Sequence, residues 1–120
     1  MIRLAVVDDH PAVRLSYADF LGEQDGIEVV AEGEHGLDAV ELCREQRPDV
    51  VVMDVRMPVM DGIEATRAIK QLAPATRVIL VSAYEQDELV ESGLRAGADL
   101  FLLKGLTGAE LVARVREVAA

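Results

Sequence analysis

Five short, mostly apolar runs recur along the chain, and most of them are bounded by charged residues or glycine. They are four to six residues long and rich in valine, leucine and isoleucine, which is typical of strands buried on both faces of a sheet. The runs are Ile2–Val7, Ile27–Ala31, Val50–Met53, Arg77–Val81 and Leu100–Leu103. The pattern therefore predicts five buried strands.

A segment with helical periodicity follows each run. The predicted helices are Pro11–Leu21, Gly36–Arg47, Ile63–Leu72, Gln86–Ala96, and a last helix that Thr107 can cap and whose apolar stripe is Leu111, Val115, Val118 and Ala119. Pro11 suits a first helical turn, whereas Pro48 and Pro74 end the second and third helices. Gly93 is expected to weaken the fourth helix, since glycine is a poor helix former.

Strands and helices alternate strictly, which favours a parallel sheet with helices on both faces. Five strand–helix units are too few for an eight-stranded barrel. The sequence therefore predicts an α/β fold with a doubly wound, five-stranded parallel sheet, for which the commonest strand order is 2-1-3-4-5. In such a sheet, ligands bind outside the carboxyl ends of the strands, here between strands one and three.

The composition of the chain excludes several classes of function. The chain has 120 residues, which suits one domain, and a formal net charge of −10. A domain this acidic is a poor candidate for direct binding of nucleic acid. Its one cysteine, Cys43, excludes an internal disulfide and a zinc site built from several cysteines. No apolar run approaches the roughly 20 residues that span a bilayer, and no signal peptide is apparent, so we expect a soluble, cytoplasmic domain without a membrane partner.

Chemically active side chains follow four of the predicted strands. Asp8 and Asp9 follow the first strand, Asp54 the third, Ser82 the fourth and Lys104 the fifth. Because the carboxyl ends of parallel strands share one edge of a sheet, we expect these side chains to converge. Neighbouring residues in an extended strand point to opposite faces, so the first two aspartates can share a site only if the strand turns there.

The converging groups suit phosphoryl transfer. Three clustered carboxylates repel one another, and a divalent cation relieves the repulsion. Oxygen ligands select a hard ion, and Mg²⁺ typically combines one or two carboxylates with water and a phosphate. A lysine suits a phosphoryl oxygen, and an aspartate can act as the covalent nucleophile.

Each residue taken alone also has a structural interpretation. The acid pair could cap the first helix, Asp54 and Lys104 could be solvated loop residues, and Ser82 could bond its own backbone. His10 and His35 are interpreted as loop or capping residues, and the cysteine as a small buried hydrophobe. The joint occurrence at four strand ends favours the functional interpretation.

The sequence resembles the receiver domain of bacterial two-component response regulators over essentially its whole length. The motifs that carry the resemblance are Val6–Pro11, Asp49–Pro58, Met60–Gly62, Ser82–Ala83 and Gly97–Lys104. The Asp-Asp-His-Pro opening and the ending Phe101–Lys104 resemble the NarL/FixJ-type subgroup. That subgroup usually joins its receiver to a LuxR-type helix-turn-helix domain. We expect residues 1–120 to be one receiver domain, with any such output domain absent from this chain.

The resemblance implies a role for each residue at the predicted site. Asp54 matches the phosphoacceptor. Asp8 and Asp9 match the acidic pair that holds Mg²⁺, together with Asp54 and the backbone carbonyl of Arg56. Lys104 matches the lysine that contacts the phosphoryl group.

Two further residues match the switch of the family: Ser82 the hydroxyl and Phe101 the aromatic. The subgroup more often has tyrosine at the aromatic position, and phenylalanine has no hydroxyl, so switching here would rely on packing. The family often has a cis proline after the lysine; this chain has Gly105, so a trans bond between Lys104 and Gly105 is expected.

The function implied by the resemblance is a switch rather than an enzyme that turns over an external substrate. A sensor histidine kinase would phosphorylate the domain in a Mg²⁺-dependent transfer, and the domain would assist its own phosphorylation and dephosphorylation. The modified domain would change conformation and pair with a second receiver. The output expected in this subgroup is transcription, through the LuxR-type domain of the full-length protein.

Two other hypotheses stay open at this point. One is a flavin or small-ligand module, because flavodoxin-like proteins share the architecture. Against it, the first strand–helix turn is acidic and free of glycine, unlike a phosphate cradle. The other is a Mg²⁺-dependent phosphatase of the haloacid dehalogenase type, which normally carries a second aspartate where this chain has Arg56.

Overall fold

The computed structural model describes residues 1–84 and 86–120. Within these ranges the chain forms five strands and five helices in strict alternation. The strands are β1 (Ile2–Val7), β2 (Ile27–Gly33), β3 (Val50–Asp54), β4 (Arg77–Ser82) and β5 (Leu100–Leu103). The helices are α1 (Pro11–Gly22), α2 (Gly36–Gln46), α3 (Gly62–Leu72), α4 (Asp87–Arg95) and α5 (Gly108–Ala119).

The strands form one parallel sheet in the order β2-β1-β3-β4-β5. This confirms the predicted flavodoxin-like α/β fold and its strand order. The order places β1 and β3 side by side at the centre, so their carboxyl ends meet where the sequence predicts the site.

Side chains alternate between the two faces of the sheet, and each face has its own core. Ala5 and Val7 of β1 belong to the core that packs against α2 and α3. Leu4 and Val6, between them, belong to the core that packs against α1 and α5. All four are at most 1% exposed. Burial on both faces explains why the strands are continuous apolar runs.

Several boundaries differ from the sequence prediction. β2 continues to Gly33 instead of ending at Ala31, because Gly33 still pairs with Val7. α2 ends one residue earlier than predicted, because Arg47 is left-handed with φ 48°. α4 is also shorter than predicted, since Gln86 is its N-cap and lies outside the helix.

The loop between β3 and α3 is held at both ends by backbone hydrogen bonds. Gly62 N–H donates to the carbonyl of Val55 (2.7 Å), and Gly36 N–H donates to that of Met60 (2.9 Å). A Cβ atom at Gly62 would collide with the carbonyl of Asp54, and one at Gly36 with that of Met60. The two glycines therefore allow the close approach that fixes the loop following Asp54.

Two further features bear on the sequence predictions. Among the described residues, no helix is both long enough and apolar enough to span a bilayer. Cys43 is fully buried, and burial raises the pKa of its thiol to about 12. The thiol is therefore a packing group in the core.

Candidate functional site

Two aspartates meet at the centre of the carboxyl edge of the sheet. Val7 of β1 pairs with Met53 of β3, so the residues that follow them, Asp8 and Asp54, stand at the same height. Asp8 is 2% exposed and Asp54 is 5% exposed. Asp54 is the last residue of β3 rather than a loop residue, since it pairs with Val81. The interpretation of Asp54 as a solvated acid is therefore wrong.

The chain turns at Asp8, as a shared site requires. The backbone N–H of Asp8 still donates to Gly33 of β2 (3.0 Å), but its Oδ1 accepts from the N–H of His10 (2.9 Å). The turn brings Asp9 alongside. One ligand atom from each of Asp8, Asp9, His10 and Asp54 lies within 4.8 Å of the others.

Lys104 joins the two buried acids. Its Nζ lies 3.3 Å from Oδ2 of Asp54 and 3.4 Å from Oδ2 of Asp8. Its backbone N–H donates to the carbonyl of Ser82 (2.8 Å), which fixes the end of β5 against the end of β4. One ammonium therefore faces two carboxylates, with Asp9 as a third acid beside them.

This imbalance is visible in the electrostatics. Burial raises the pKa of the Asp54 carboxyl above its ordinary value, Asp8 raises it further, and Lys104 only partly offsets both. Burial lowers the pKa of Lys104, but Asp54 and Asp8 outweigh it, and the net change is upward. The cluster is short of positive charge, and Lys104 stays charged within it.

The acids also offer an oxygen without a hydrogen bond. Among the described residues, Oδ1 of Asp9 is a buried oxygen with no donor. It lies 3.2 Å from Nδ1 of His10, a separation that satisfies the distance for an ion pair but does not form a hydrogen bond. A buried, unpaired carboxylate oxygen beside two other carboxylates fits a hard divalent cation. The acidic cluster therefore suits the Mg²⁺ site that the family resemblance implies.

Ser82 lies at the floor of the same cleft and is 1% exposed. Its Oγ accepts from the backbone N–H of Tyr84 (3.1 Å), which confirms that this serine bonds its own backbone. The hydroxyl proton remains available to a second acceptor. A cleft of about 350 Å³ is lined by His10, Asp54, Arg56, Ser82, Ala83, Tyr84 and Lys104.

Phe101 is partly buried on β5, opposite Leu80 of β4. A Cβ at Gly93 of α4 would lie 3.1 Å from Cδ2 of the Phe101 ring and 3.0 Å from a methyl group of Leu80. Gly93, singled out in the sequence only as a poor helix former, is a contact point that lets α4 lie close to the sheet. The expected trans bond is confirmed: between described residues no peptide bond is cis, and Gly105 has φ 102°.

Three side chains at the site were not assigned a functional role from the sequence. His10 is the N-cap of α1, and its ring lies 3.2 Å from both Asp8 and Asp9. Tyr84 stacks under the guanidinium of Arg56, whose side chain had no predicted role. Adjacency to the acid pair was a signal for His10, but the stacked pair depends on how two loops meet.

Comparisons with known proteins agree with this geometry. The family described as "Response regulator receiver domain" matches residues 4–116. The response regulator GacA of Pseudomonas aeruginosa is 39% identical over 120 residues, which is 100% of this chain and 56% of that protein. The chain therefore spans about half the length of this curated relative.

Solved structures give the same result. The signal receiver domain of NarL from Mycobacterium tuberculosis matches with a TM-score of 0.95 and 38% identity, covering 98% of this chain and 95% of that one. A LuxR-family two-component response regulator from Aurantimonas matches with a TM-score of 0.93 and 36% identity, covering 99% and 85%.

A third structure contains the predicted metal. The CheX–CheY complex of Borrelia burgdorferi with BeF₃ and Mg²⁺ matches with a TM-score of 0.91 and 28% identity, covering 99% of this chain and 90% of that one. The profile match, these likenesses and the acidic edge of the sheet lead to one conclusion: the chain belongs to the response regulator receiver domains, phosphorylation switches of two-component signalling, with its homologues in the NarL/FixJ subgroup.

Proposed function

We propose that Asp54 is the phosphoacceptor of this receiver and that the donor is the phosphohistidine of a cognate sensor kinase. An oxygen of the Asp54 carboxylate attacks phosphorus, the N–P bond of the donor breaks, and the electron pair leaves with the imidazole nitrogen. Hydrolysis of the acyl phosphate later restores the carboxylate. The observation that carries the proposal is the pair formed by buried Asp54 and Lys104, 3.3 Å apart in a cleft large enough for a phosphoryl group.

Lys104 has two tasks in this scheme. Before transfer, its ammonium holds the Asp54 carboxylate in place and neutralises part of its charge. After transfer, it binds an oxygen of the phosphoryl group, since a lysine acts as a compact point charge on phosphate. The hydrogen bond from its backbone to Ser82 lets both residues move together.

The residues proposed to hold Mg²⁺ are Asp8, Asp9, Asp54 and the backbone carbonyl of Arg56. When bound, the ion would neutralise the carboxylates and the charge that develops on the phosphoryl oxygens. The unpaired oxygen of Asp9 supports this assignment.

The proposed switch runs through Ser82 and Phe101. The Ser82 hydroxyl donates to a phosphoryl oxygen, and its inward shift opens space beneath α4. Phe101, already in contact with Gly93, moves further into that space. The surface formed by α4, β5 and α5 then changes shape and pairs with a second receiver.

The output proposed for the full-length protein is transcription, through a LuxR-type DNA-binding domain outside residues 1–120. The LuxR-family neighbour and the length of GacA support this proposal. The net charge of −10 argues that the receiver itself does not bind the nucleic acid. The proposal includes a cytoplasmic location, where a sensor kinase would meet the domain.

The test is intact-mass spectrometry after incubation with acetyl phosphate and Mg²⁺. We expect one labile adduct of about 80 Da, the mass of a phosphoryl group. Asp54→Asn should abolish it, while Asp19→Asn, the same chemical change on the exposed face of α1, should leave it unchanged. Adduct formation by Asp54→Asn at the parent rate would remove Asp54 from this role.

A further inference from the structure

The side chains of Arg56 and Tyr84 form a stacked pair across the mouth of the cleft. The guanidinium carbon of Arg56 lies 5.3 Å from the centre of the Tyr84 ring. Arg56 follows Asp54 by two residues, and Tyr84 follows Ser82 by two residues. The pairing of β3 with β4 extends one residue past the end of β3, since Val55 N–H donates to the carbonyl of Val81 (3.1 Å). The stacked pair therefore bridges the two loops that carry the site.

Tyr84 is coupled to the interior of the site through its backbone. Its N–H donates to Oγ of Ser82, which is buried at the floor of the cleft. Its ring is at the surface, with 56% of the residue exposed. One residue thus contacts a buried hydroxyl on one side and an exposed cation on the other.

The stack is the weaker of two contacts that the Arg56 guanidinium can make. An exposed cation–π contact is weak because solvent competes for the cation. A guanidinium bound to phosphoryl oxygens makes short, charge-assisted hydrogen bonds that match the planar fork of its donors. Arg56, Tyr84 and Asp54 line the same cleft. A phosphoryl group on Asp54 would therefore occupy the cleft that the Arg56 side chain borders.

We propose that Arg56 is a second cationic contact for the phosphoryl group, beside Lys104, and that it leaves the Tyr84 ring to make it. The inference rests on the proposed phosphorylation of Asp54. Before modification, the stack ties the loop after β4 to the loop after β3. Afterwards, Arg56 turns to the phosphoryl oxygens, and Tyr84, with the backbone that contacts Ser82, is released. The energy of the lost stack opposes phosphoryl binding. Removing the Arg56 guanidinium should therefore weaken phosphoryl binding, whereas removing the Tyr84 ring should strengthen it.

The test uses beryllofluoride, a non-covalent mimic of the phosphoryl group, with saturating Mg²⁺. We expect Arg56→Gln to bind it about tenfold more weakly, the loss of roughly one charge-assisted contact. Arg56→Lys should be intermediate, because it keeps the charge without the fork. Arg67→Gln, an exposed arginine of α3, makes the same change in net charge and should bind within about twofold of the parent.

Tyr84 gives the opposite sign. Tyr84→Leu removes the competing ring and should tighten binding by about two- to threefold, whereas Tyr84→Phe keeps the ring and should match the parent. If the substitutions only loosened the loop, Arg56→Gln and Tyr84→Leu would both weaken the binding of beryllofluoride. That result would overturn the proposal.

A spectroscopic readout follows the exchange directly. In the parent, we expect the ring current of Tyr84 to shift the Nε–H proton resonance of Arg56, which can be assigned by its absence in Arg56→Lys. Beryllofluoride should move this resonance to a position without the ring shift. In Tyr84→Leu the resonance should lie at that unshifted position even before beryllofluoride is added. A resonance that keeps its ring shift when beryllofluoride is bound would overturn the exchange.

The outcomes separate the two proposals. If the parent takes up no beryllofluoride, or Asp54→Asn takes it up equally well, the proposed function fails and this inference fails with it. If the parent binds, Asp54→Asn does not, and Arg56→Gln binds like Arg67→Gln, then the inference about Arg56 alone is wrong.

Discussion

Asp99, at the amino ends of β4 and β5, is surrounded by partners, whereas Asp8 and Asp54, at the carboxyl ends, share one lysine with Asp9 as a third acid beside them. Asp99 Oδ2 accepts from the N–H of Val78 (2.8 Å) and from Lys70 Nζ (2.9 Å), and Arg77 lies 3.5 Å from Oδ1. Lys70 is satisfied in turn, since it also donates to the carbonyl of Thr76 (2.7 Å).

The carboxyl edge lacks this balance. There, burial and repulsion raise the pKa of Asp54, and an oxygen of Asp9 has no hydrogen-bond donor among the described residues. The two edges belong to one sheet and draw on the same kinds of side chain. The difference teaches that the amino edge is built for stability in the isolated chain, while the carboxyl edge is built to be completed by a cation and a phosphoryl group.

The largest effect is expected from breaking the satisfied edge. Asp99→Ala leaves the Val78 N–H and the Lys70 ammonium without their acceptor, and we expect a loss of about 3 kcal/mol in the free energy of unfolding. Urea denaturation measures it. Asp19→Asn should change stability by no more than about 0.5 kcal/mol. A loss for Asp99→Ala within that control range would mean that the two edges do not differ.

Completing the other edge should have the next largest effect. Mg²⁺ at about 100 times its dissociation constant should stabilise the domain by about 2.7 kcal/mol, because it binds the native state. Thermal unfolding with Mg²⁺ or with Na⁺ at equal ionic strength measures this. Asp9→Ala should unfold at the same temperature in both salts. A parent protein indifferent to Mg²⁺ would contradict the metal site.

Removing one acid should stabilise the carboxyl edge when Mg²⁺ is absent. Asp54→Asn keeps the size of the side chain and removes a buried charge that is repelled by Asp8, so we expect a gain of about 1 kcal/mol in chelator-treated protein. Urea denaturation in EDTA provides the value. The sign is opposite to that of Asp99→Ala, and a loss of stability would show that Lys104 fully compensates the acids.

The smallest effect concerns the backbone at the two edges. Val59, in the loop after β3, has φ 69°, a strained conformation for a β-branched residue, and it is 72% exposed. Val59→Gly should gain about 0.5 kcal/mol, since relief of strain exceeds the entropy that glycine loses on folding. Arg47→Gly is the matched change at the amino edge, and it should lose stability because the Arg47 side chain donates to Leu72. Urea denaturation measures both free energies of unfolding. If Val59→Gly and Arg47→Gly changed the free energy of unfolding in the same direction, the prediction would be wrong.

Much of the fold was predictable because its signals are local. The apolar runs and prolines located the strands and most helix boundaries to within about one residue, and the alternation of elements indicated a doubly wound parallel sheet, whose commonest strand order is the one observed. Asp8, Asp54, Ser82 and Lys104 could be brought together from topology alone, since parallel strands end at one edge. The turn at Asp8 was required by the same reasoning and is confirmed.

What could not be predicted depends on contacts between distant segments. β2 is longer than its apolar run because pairing with β1 continues to Gly33. Gly93 was identified only as a weak point of a helix, because its contact with Phe101 exists only once α4 lies on the sheet. The stack of Arg56 on Tyr84 joins two loops, and no pattern along the chain encodes it.

The glycine-anchored loop after β3 has a practical consequence for labelling. Its ends are fixed by Gly36 and Gly62, while Val59 between them points its side chain into solvent. The only cysteine of the sequence, Cys43, is fully buried, and the pKa of its thiol is raised to about 12. A maleimide dye should therefore not react with it. Val59→Cys would therefore give a receiver with a single reactive handle, in the loop next to Asp54, without altering either anchor.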